Sequence, residues 1–339
     1  MKIKIAIAVC ASAIAALLSI ILGSVYIPPA DVFHIIVHAA FGTALPEHIT
    51  PASMAIVWNL RLPRTLLAFC AGSALSVSGA VMQSILRNPL ASSYTLGVSS
   101  GASFGASLVI FLGVNLPFLP MFTLPMLGFA FALATILIVM AIASQLDVSM
   151  ESHTVILTGI VFSLFINAIT TLMFALFRES VQRMVFWQMG SFSMRDWNTV
   201  FILASITIVG ILFIARFKLE LDVMTFGEEQ AQTMGVDSKN VKWILLISAA
   251  ALTGSIIAFV GVIGFVDLVA PHIVRKLFGP ANRYVIPMSA VVGGTLMVFA
   301  DLAARTVASP VELPVGAVTA IIGAPFFAYI YFSKRKEYV

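Results

Sequence analysis

Charge is what this chain lacks most. Asp, Glu, Lys and Arg make up only 10% of its 339 residues, against about a quarter in soluble domains. So few charges exclude a water-soluble surface. Cysteine is nearly absent too: Cys10 and Cys70 both sit in apolar runs with no disulfide or metal spacing, and read as small packing residues. The histidines His34, His38, His48, His153 and His272 form no H-E-x-x-H or comparable set, so no metal site is expected. His34 and His38 are four apart but lack a carboxylate at the right distance, and read as polar residues of a short outer segment. No G-x-x-x-x-G-K-[ST] phosphate loop occurs, and the dipeptide Gly-Lys is missing altogether, so the chain does not hydrolyse ATP by that route. "GVSSG" at 97–101 matches a nucleophile pattern without the strand-to-helix turn or partnered histidine it needs. An intramembrane hydrolase is thereby disfavoured. Charge inside the apolar runs, the usual mark of an ion-driven carrier, comes down to Asp267 and Asp301. Arg305, four residues after Asp301, offers a local ion pair. Asp267, five residues before His272, is a weak candidate for a proton relay.

What the chain has instead is hydrocarbon. Hydrophobic residues make up 60% of it, and the mean hydropathy of +1.05 is that of an integral membrane protein. The apolar runs are continuous, not alternating, which selects helices over a barrel. They fall at about 5–27, 64–86, 95–115, 120–144, 154–177, 197–217, 241–262, 264–278, 284–304 and 314–332. The first exceeds a signal-peptide core and many spans follow it, so it reads as a membrane helix. The expected fold is an all-α polytopic membrane protein of about ten spans, one transmembrane domain over 1–339, with both termini on one side.

Lysine and arginine counts orient it. Six lie in segments assigned outside: Arg61, Arg64, Arg178, Arg183, Arg195 and Arg305. The other thirteen, including Lys2, Lys4, Arg87, Lys239, Lys242, Arg275, Lys334, Arg335 and Lys336, lie inside. Both termini and residues 218–240 are therefore expected in the cytoplasm. Gly97, Gly101 and Gly105 leave one helix face bare for close packing. Gly72-Ser73, Gly79 and Pro89 share their spacing with Gly254-Ser255, Gly261 and Pro271, an echo that points to an inverted internal repeat of the kind transporters use.

Residues 225–240, "TFGEEQAQTMGVDSKN", form a polar island among the spans. Thr225 and Glu228 fit a capping box, and Glu228 and Glu229 suit the positive end of a short helix. Gly235 suits a left-handed stop and Asp237 the cap of the next helix. Phe226, Ala231 and Met234 give the short helix an apolar side.

Three stretches carry a family resemblance: "RLPRTLLAFCAGSALSVSGAVMQSILRNPLASSYTLGVSSGASFGA" (61–106), "GEEQAQTMGVD" (227–237) running into "GFVDLVAPHIVRKLFGP" (264–280), and "DLAARTVASPVELPVGAVTAIIGAPFFAYI" (301–330). Together they resemble the FecCD-type permeases of bacterial ABC importers for iron–siderophore complexes, haem and cobalamin, over nearly the whole chain from about residue 55. Asp267 departs from the family, which usually has glycine before "LVAPH".

The resemblance implies a non-enzymatic subunit of the bacterial cytoplasmic (inner) membrane that needs no cofactor and no nucleic acid. Its implied partners are a second permease subunit (identical or homologous), two cytoplasmic ATPase subunits, an extracytoplasmic substrate-binding protein and the lipid bilayer. Residues 218–240, in particular Thr225, Phe226, Gly227, Glu228, Glu229, Ala231, Met234, Gly235 and Asp237, match the loop that couples the permease to the ATPase. Arg61, Arg64 and Arg305 match positions that pair with acidic residues of the binding protein. Asn88 and Leu90, with Ser152 and His153, match the cytoplasmic gate, although His153 departs from the small hydroxyl residues usual there. An iron–siderophore complex is the expected substrate; haem, cobalamin or an oxyanion such as molybdate are the alternatives on the same fold, and an ion-driven secondary carrier is a more remote one.

Overall fold

The computed structural model of the chain describes residues 1–335 apart from 24, 118, 119 and 148, with side chains to residue 329. Lys336 and the side chains of Lys334 and Arg335 lie outside the described residues. Each of the ten apolar stretches is a helix: α1 Lys2–Ile21, α2 Leu62–Ile85, α3 Val98–Leu112, α4 Thr123–Leu146, α5 Ser152–Leu176, α6 Trp197–Ala215, α7 Ser238–Val260, α8 Val266–Phe278, α9 Asn282–Thr306 and α10 Val315–Arg335. Seven described segments are long and apolar enough to cross a bilayer by themselves. The chain is thus an all-helical, multi-pass membrane protein. The shorter helices α3 and α8 pack against their neighbours in the bundle, α3 on α4 and α8 on α2 and α9. The internal echo falls on unlike local structure: Gly79 lies within α2 whereas Gly261 ends α7, and Pro89 is in a turn whereas Pro271 is inside α8.

The core is built around α2. Every residue from Ala71 to Ile85 is buried, and α6, α7, α8 and α9 all pack on this helix. Lipid tails are as apolar as leucine, so helices in a membrane are held by close packing and not by expulsion from water. The sequence supplies that through small residues, "AGSALSVSGA" at 71–80. At Gly79 the α8 backbone comes so near that a Cβ would collide with the carbonyl oxygen of Asp267. The periphery is the reverse. Only 22% of the α5 span is buried, against 83% for the span that contains α2, and Leu164, Phe165, Leu172 and Leu176 point outward. In water such a surface would aggregate; in a bilayer it is solvated.

Short helices outside the ten spans were not expected: Pro29–Phe41, Pro51–Ala55 and Val181–Gln188. Pro29–Phe41 forms in the outer segment that holds His34 and His38, starting with a proline in its first turn and ending at Gly42, whose φ is 69°. Its core residues Val32 and Ile35 pack with Ile20, Ile27 and Val57 at the end of α1.

Candidate functional site

Two clusters of buried charge occupy opposite ends of the bundle. At the end assigned outside, the arginines enter through the start of α2 and the end of α9. Arg64 donates from Nε to both oxygens of Asp301, at 2.9 and 3.0 Å, and from Nη1 to Glu312 Oε1 at 2.8 Å and Ser193 Oγ at 3.0 Å. Ser193 in turn donates to Glu312. The expected local pair of Asp301 with Arg305 is secondary. Their closest approach is 3.6 Å, because Arg64, 237 residues away in sequence, takes both lone-pair faces of the carboxylate.

Arg61 and Arg305 serve another helix. Arg61 Nη1 donates to the carbonyls of Ile20 and Ile21 at 3.0 and 2.8 Å, and Nη2 donates to that of Val25. Arg305 donates to the carbonyls of Leu22 and Ser19 and to Ser19 Oγ. The last carbonyls of a helix have no partner within it; here two guanidiniums supply the donors and complement the negative end of the α1 dipole. All three arginines line a cavity of about 400 Å³ together with Phe192, Met194 and Glu312. Arg61 and Arg305 are buried, and the Arg64 side chain is 11% exposed while Glu312 is 48% exposed. Partial burial raises the Glu312 carboxyl, but the hydrogen bonds from Ser193 and Arg64 outweigh it and hold the group below the usual glutamate range.

At the opposite end the 218–240 segment folds as two short helices, Lys218–Met224 and Glu228–Thr233. Asp222 fixes the first by accepting from the backbone and side-chain nitrogens of Asn282, both at 2.8 Å. Gly227, with φ 121°, and Gly235, with φ 85°, bound the second, conformations that a residue with a Cβ adopts only under strain. Asp237 caps α7 by accepting from Asn240 N at 3.1 Å.

The capping box is not formed. Gly227 is the N-cap of the short helix, and Thr225 donates instead to the carbonyl of Asp222. The Glu228 carboxylate is drawn off by a stronger donor, the ammonium of Lys242 in α7. The apolar side is split: Ala231 is buried, whereas Phe226 and Met234 are exposed.

Lys242 is fully buried, and its Nζ also donates to the carbonyl of Met150 at 2.6 Å. Met150, with φ 52°, closes a tight turn before α5. Asp147 knits that turn: its carboxylate accepts from Ser149 N and Oγ, from Glu151 N and, at 3.4 Å, from Thr154 Oγ1. The Ser149 hydroxyl is the main reason this carboxyl is held below its ordinary range, followed by the Glu151 amide. Ser152 and His153 follow directly; His153 Nδ1 lies 3.1 Å from Glu151. Asn88 closes the α2–α3 turn by accepting from Leu90 N at 2.9 Å, and Leu90 is exposed. A cavity of about 370 Å³ is lined by Arg87, by Ser149, Glu151, Ser152 and His153, and by Gly227–Gln230.

The remaining predicted positions lie in the bundle. A Cβ on Gly101 or Gly105 would run into the α4 backbone at Phe131 or Leu127, and Gly97 is the left-handed residue before α3. Asp267 is buried in the first turn of α8. Arg275, near the other end of α8, is turned to α2, donating to Gln83, Ser84 and the carbonyl of Ala80. Sequence reasoning missed Lys242, Asp147, Asp222, Met150 and Glu312. Only Asp147 had a local signal, an acid followed by serine just ahead of a helix.

A small-residue bundle with most of its charge at its two ends, a large lipid-facing surface and a polar helix pair at one end defines a multi-pass membrane transport subunit. Comparison with known proteins makes this specific. The model of the FecCD transport family matches residues 11–333, and the chain belongs to that family of ABC transporter permeases. It is 42% identical over 324 residues, 96% of this chain and 92% of the relative, to the uncharacterized ABC transporter permease protein YvrB of Bacillus subtilis. It is 36% identical to the Fe(3+)-citrate import system permease protein YfmE of the same organism, covering 83% of this chain and 84% of that one. It is 33% identical to the hemin transport system permease protein HmuU of Yersinia pestis, again over 83% and 84%. Among solved structures, an inward-facing metal-chelate type ABC transporter superposes with a TM-score of 0.84 at 28% identity, covering 98% of this chain and 99% of that one.

Proposed function

We propose that this permease imports an iron–siderophore complex across the cytoplasmic membrane, in a pair of permease subunits driven by two ATPase subunits and supplied by an extracytoplasmic binding protein. The observation that carries the reading is the 218–240 segment. It is anchored to the bundle through Asp222, Ala231 and Lys242, yet presents Phe226 and Met234 outward, as a docking helix must. The chain carries no phosphate loop of its own, so the ATPase is a separate subunit and this one is not an enzyme. Thr225, Phe226, Gly227, Glu228, Glu229, Ala231, Met234, Gly235 and Asp237 form the coupling unit, and Asn88, Leu90, Ser152 and His153 the inner gate beside it.

At the other end, acidic residues of the binding protein meet Arg64 first, by exchange with the half-exposed Glu312; Arg61 and Arg305 hold the floor of the same cavity. Such rim charges set the register of docking more than its strength. Iron chelates are favoured by the relatives named for Fe(3+)-citrate import; the relative named for hemin keeps a second reading open. The test is uptake in proteoliposomes of the whole complex, with ferric hydroxamate, catecholate and citrate chelates beside hemin and cobalamin. Uptake of a ferric chelate in preference to hemin and cobalamin supports the proposal, and the reverse order overturns it.

A further inference from the structure

We propose that Lys242 is a positioning residue that makes the ATPase-docking helix and the turn before α5 move as one piece, so that displacement of the first is delivered to the inner gate. This rests on the coupling role of residues 225–237 given above. The geometry is a three-way junction. Lys242 belongs to α7, its ammonium pairs with Glu228 at the first turn of the docking helix, and it donates to the Met150 carbonyl. Those two partners lie 14 and 92 residues away, so no local folding preference brings them together.

A fully buried ammonium strongly favours keeping its partners. It has donors and no acceptor, and every partner it loses leaves charge unsolvated. The Glu228 side chain is 17% exposed and that of Lys242 is 0% exposed, so water cannot readily replace the carboxylate. The other contact is equally fixed. Asp147 binds the turn to the start of α5 through Ser149, Glu151 and Thr154, so a pull on Met150 is passed to Ser152 and His153.

The experiment uses the permease–ATPase complex in lipid, in a background with Cys10 and Cys70 replaced by serine, with spin labels at the exposed positions Glu151 and Thr233. The interlabel distance is read without nucleotide and after ATP–vanadate trapping. The junction predicts one narrow distance in both states for the parent and for Lys242→Arg, and a broadened or nucleotide-dependent distance for Lys242→Met. Substrate moved per ATP hydrolysed should fall about tenfold or more in Lys242→Met and be restored by Lys242→Arg. Glu228→Gln, which keeps the side-chain shape, should show the same broadening to a lesser degree and serves if Lys242→Met does not assemble. Failure of the ATPase to bind the parent, or ATPase binding that ignores Phe226 and Met234, would refute the coupling reading itself. With the ATPase bound normally, an unchanged narrow distance in both Lys242→Met and Glu228→Gln would overturn the role of Lys242.

Discussion

The two ends of the bundle use buried charge in opposite ways. At the outer end charges are paired many to many: Arg64 with Asp301 and Glu312, Arg305 with Asp301, and two arginines on the open carbonyls of α1. Removing a single contact there leaves others, and the cluster joins helices that are already packed, α1, α2 and α9. At the inner end one ammonium holds two segments that have little else in common. The first arrangement suits a rigid rim; the second suits a link that carries the motion of one segment to another. The difference teaches that how many partners a buried charge has, more than its burial, decides whether it stiffens a region or links moving parts.

The largest effect is expected where the outer cluster loses its centre. Asp301→Asn strands Arg64 and Arg305 beside one half-exposed carboxylate and should cost about 3–5 kcal/mol, seen as loss of thermal stability in detergent or failure to accumulate in the membrane. Next is the packing that both ends share. Gly79→Val pushes α8 from α2 at the Asp267 carbonyl and should cost roughly 1–3 kcal/mol, with a lowered melting temperature as the readout. At the docking helix, Phe226→Ala with Met234→Ala should weaken ATPase association about tenfold while the melting temperature stays put; a fall in stability with normal association would make these residues packing elements instead.

The smallest effect belongs to Glu312. As a partly exposed pair with Arg64, it should change stability by under about 1 kcal/mol in Glu312→Gln. Its carboxyl is held below its unfolded value, so its contribution is present above the ordinary glutamate range. It is lost as pH falls through the lowered folded value. The stability of the parent should therefore be flat around neutral pH as far as this group is concerned, and Glu312→Gln should lessen the loss of stability seen in acid.

These contrasts also mark what the sequence could convey. The ten helices were legible because a span writes its apolar run in consecutive residues. Caps read from one residue and its near neighbours, such as Asp237 and Gly235, appear as expected. The Pro29–Phe41 helix left a signal, Pro28-Pro29 at its start and Gly42 at its end, that was masked by its short length between longer spans. The polar clusters were not legible. Thr225 and Glu228 matched a capping pattern, yet a buried lysine 14 residues on outcompeted the local backbone for the carboxylate. Asp301 matched a pair with Arg305, yet Arg64 reached it from across the bundle. Local patterns rank neighbours along the chain; a buried charge chooses the strongest donor in space.

The central claim is that transport is powered through the 218–240 segment by a separate ATPase, and vesicle uptake tests it most directly. Inside-out control of nucleotide, an ionophore that collapses the proton gradient, and an inactivated ATPase separate the energy sources. The account predicts ferric-chelate uptake that survives the ionophore and stops with the inactive ATPase. Uptake that is abolished by the ionophore and indifferent to the ATPase would contradict it.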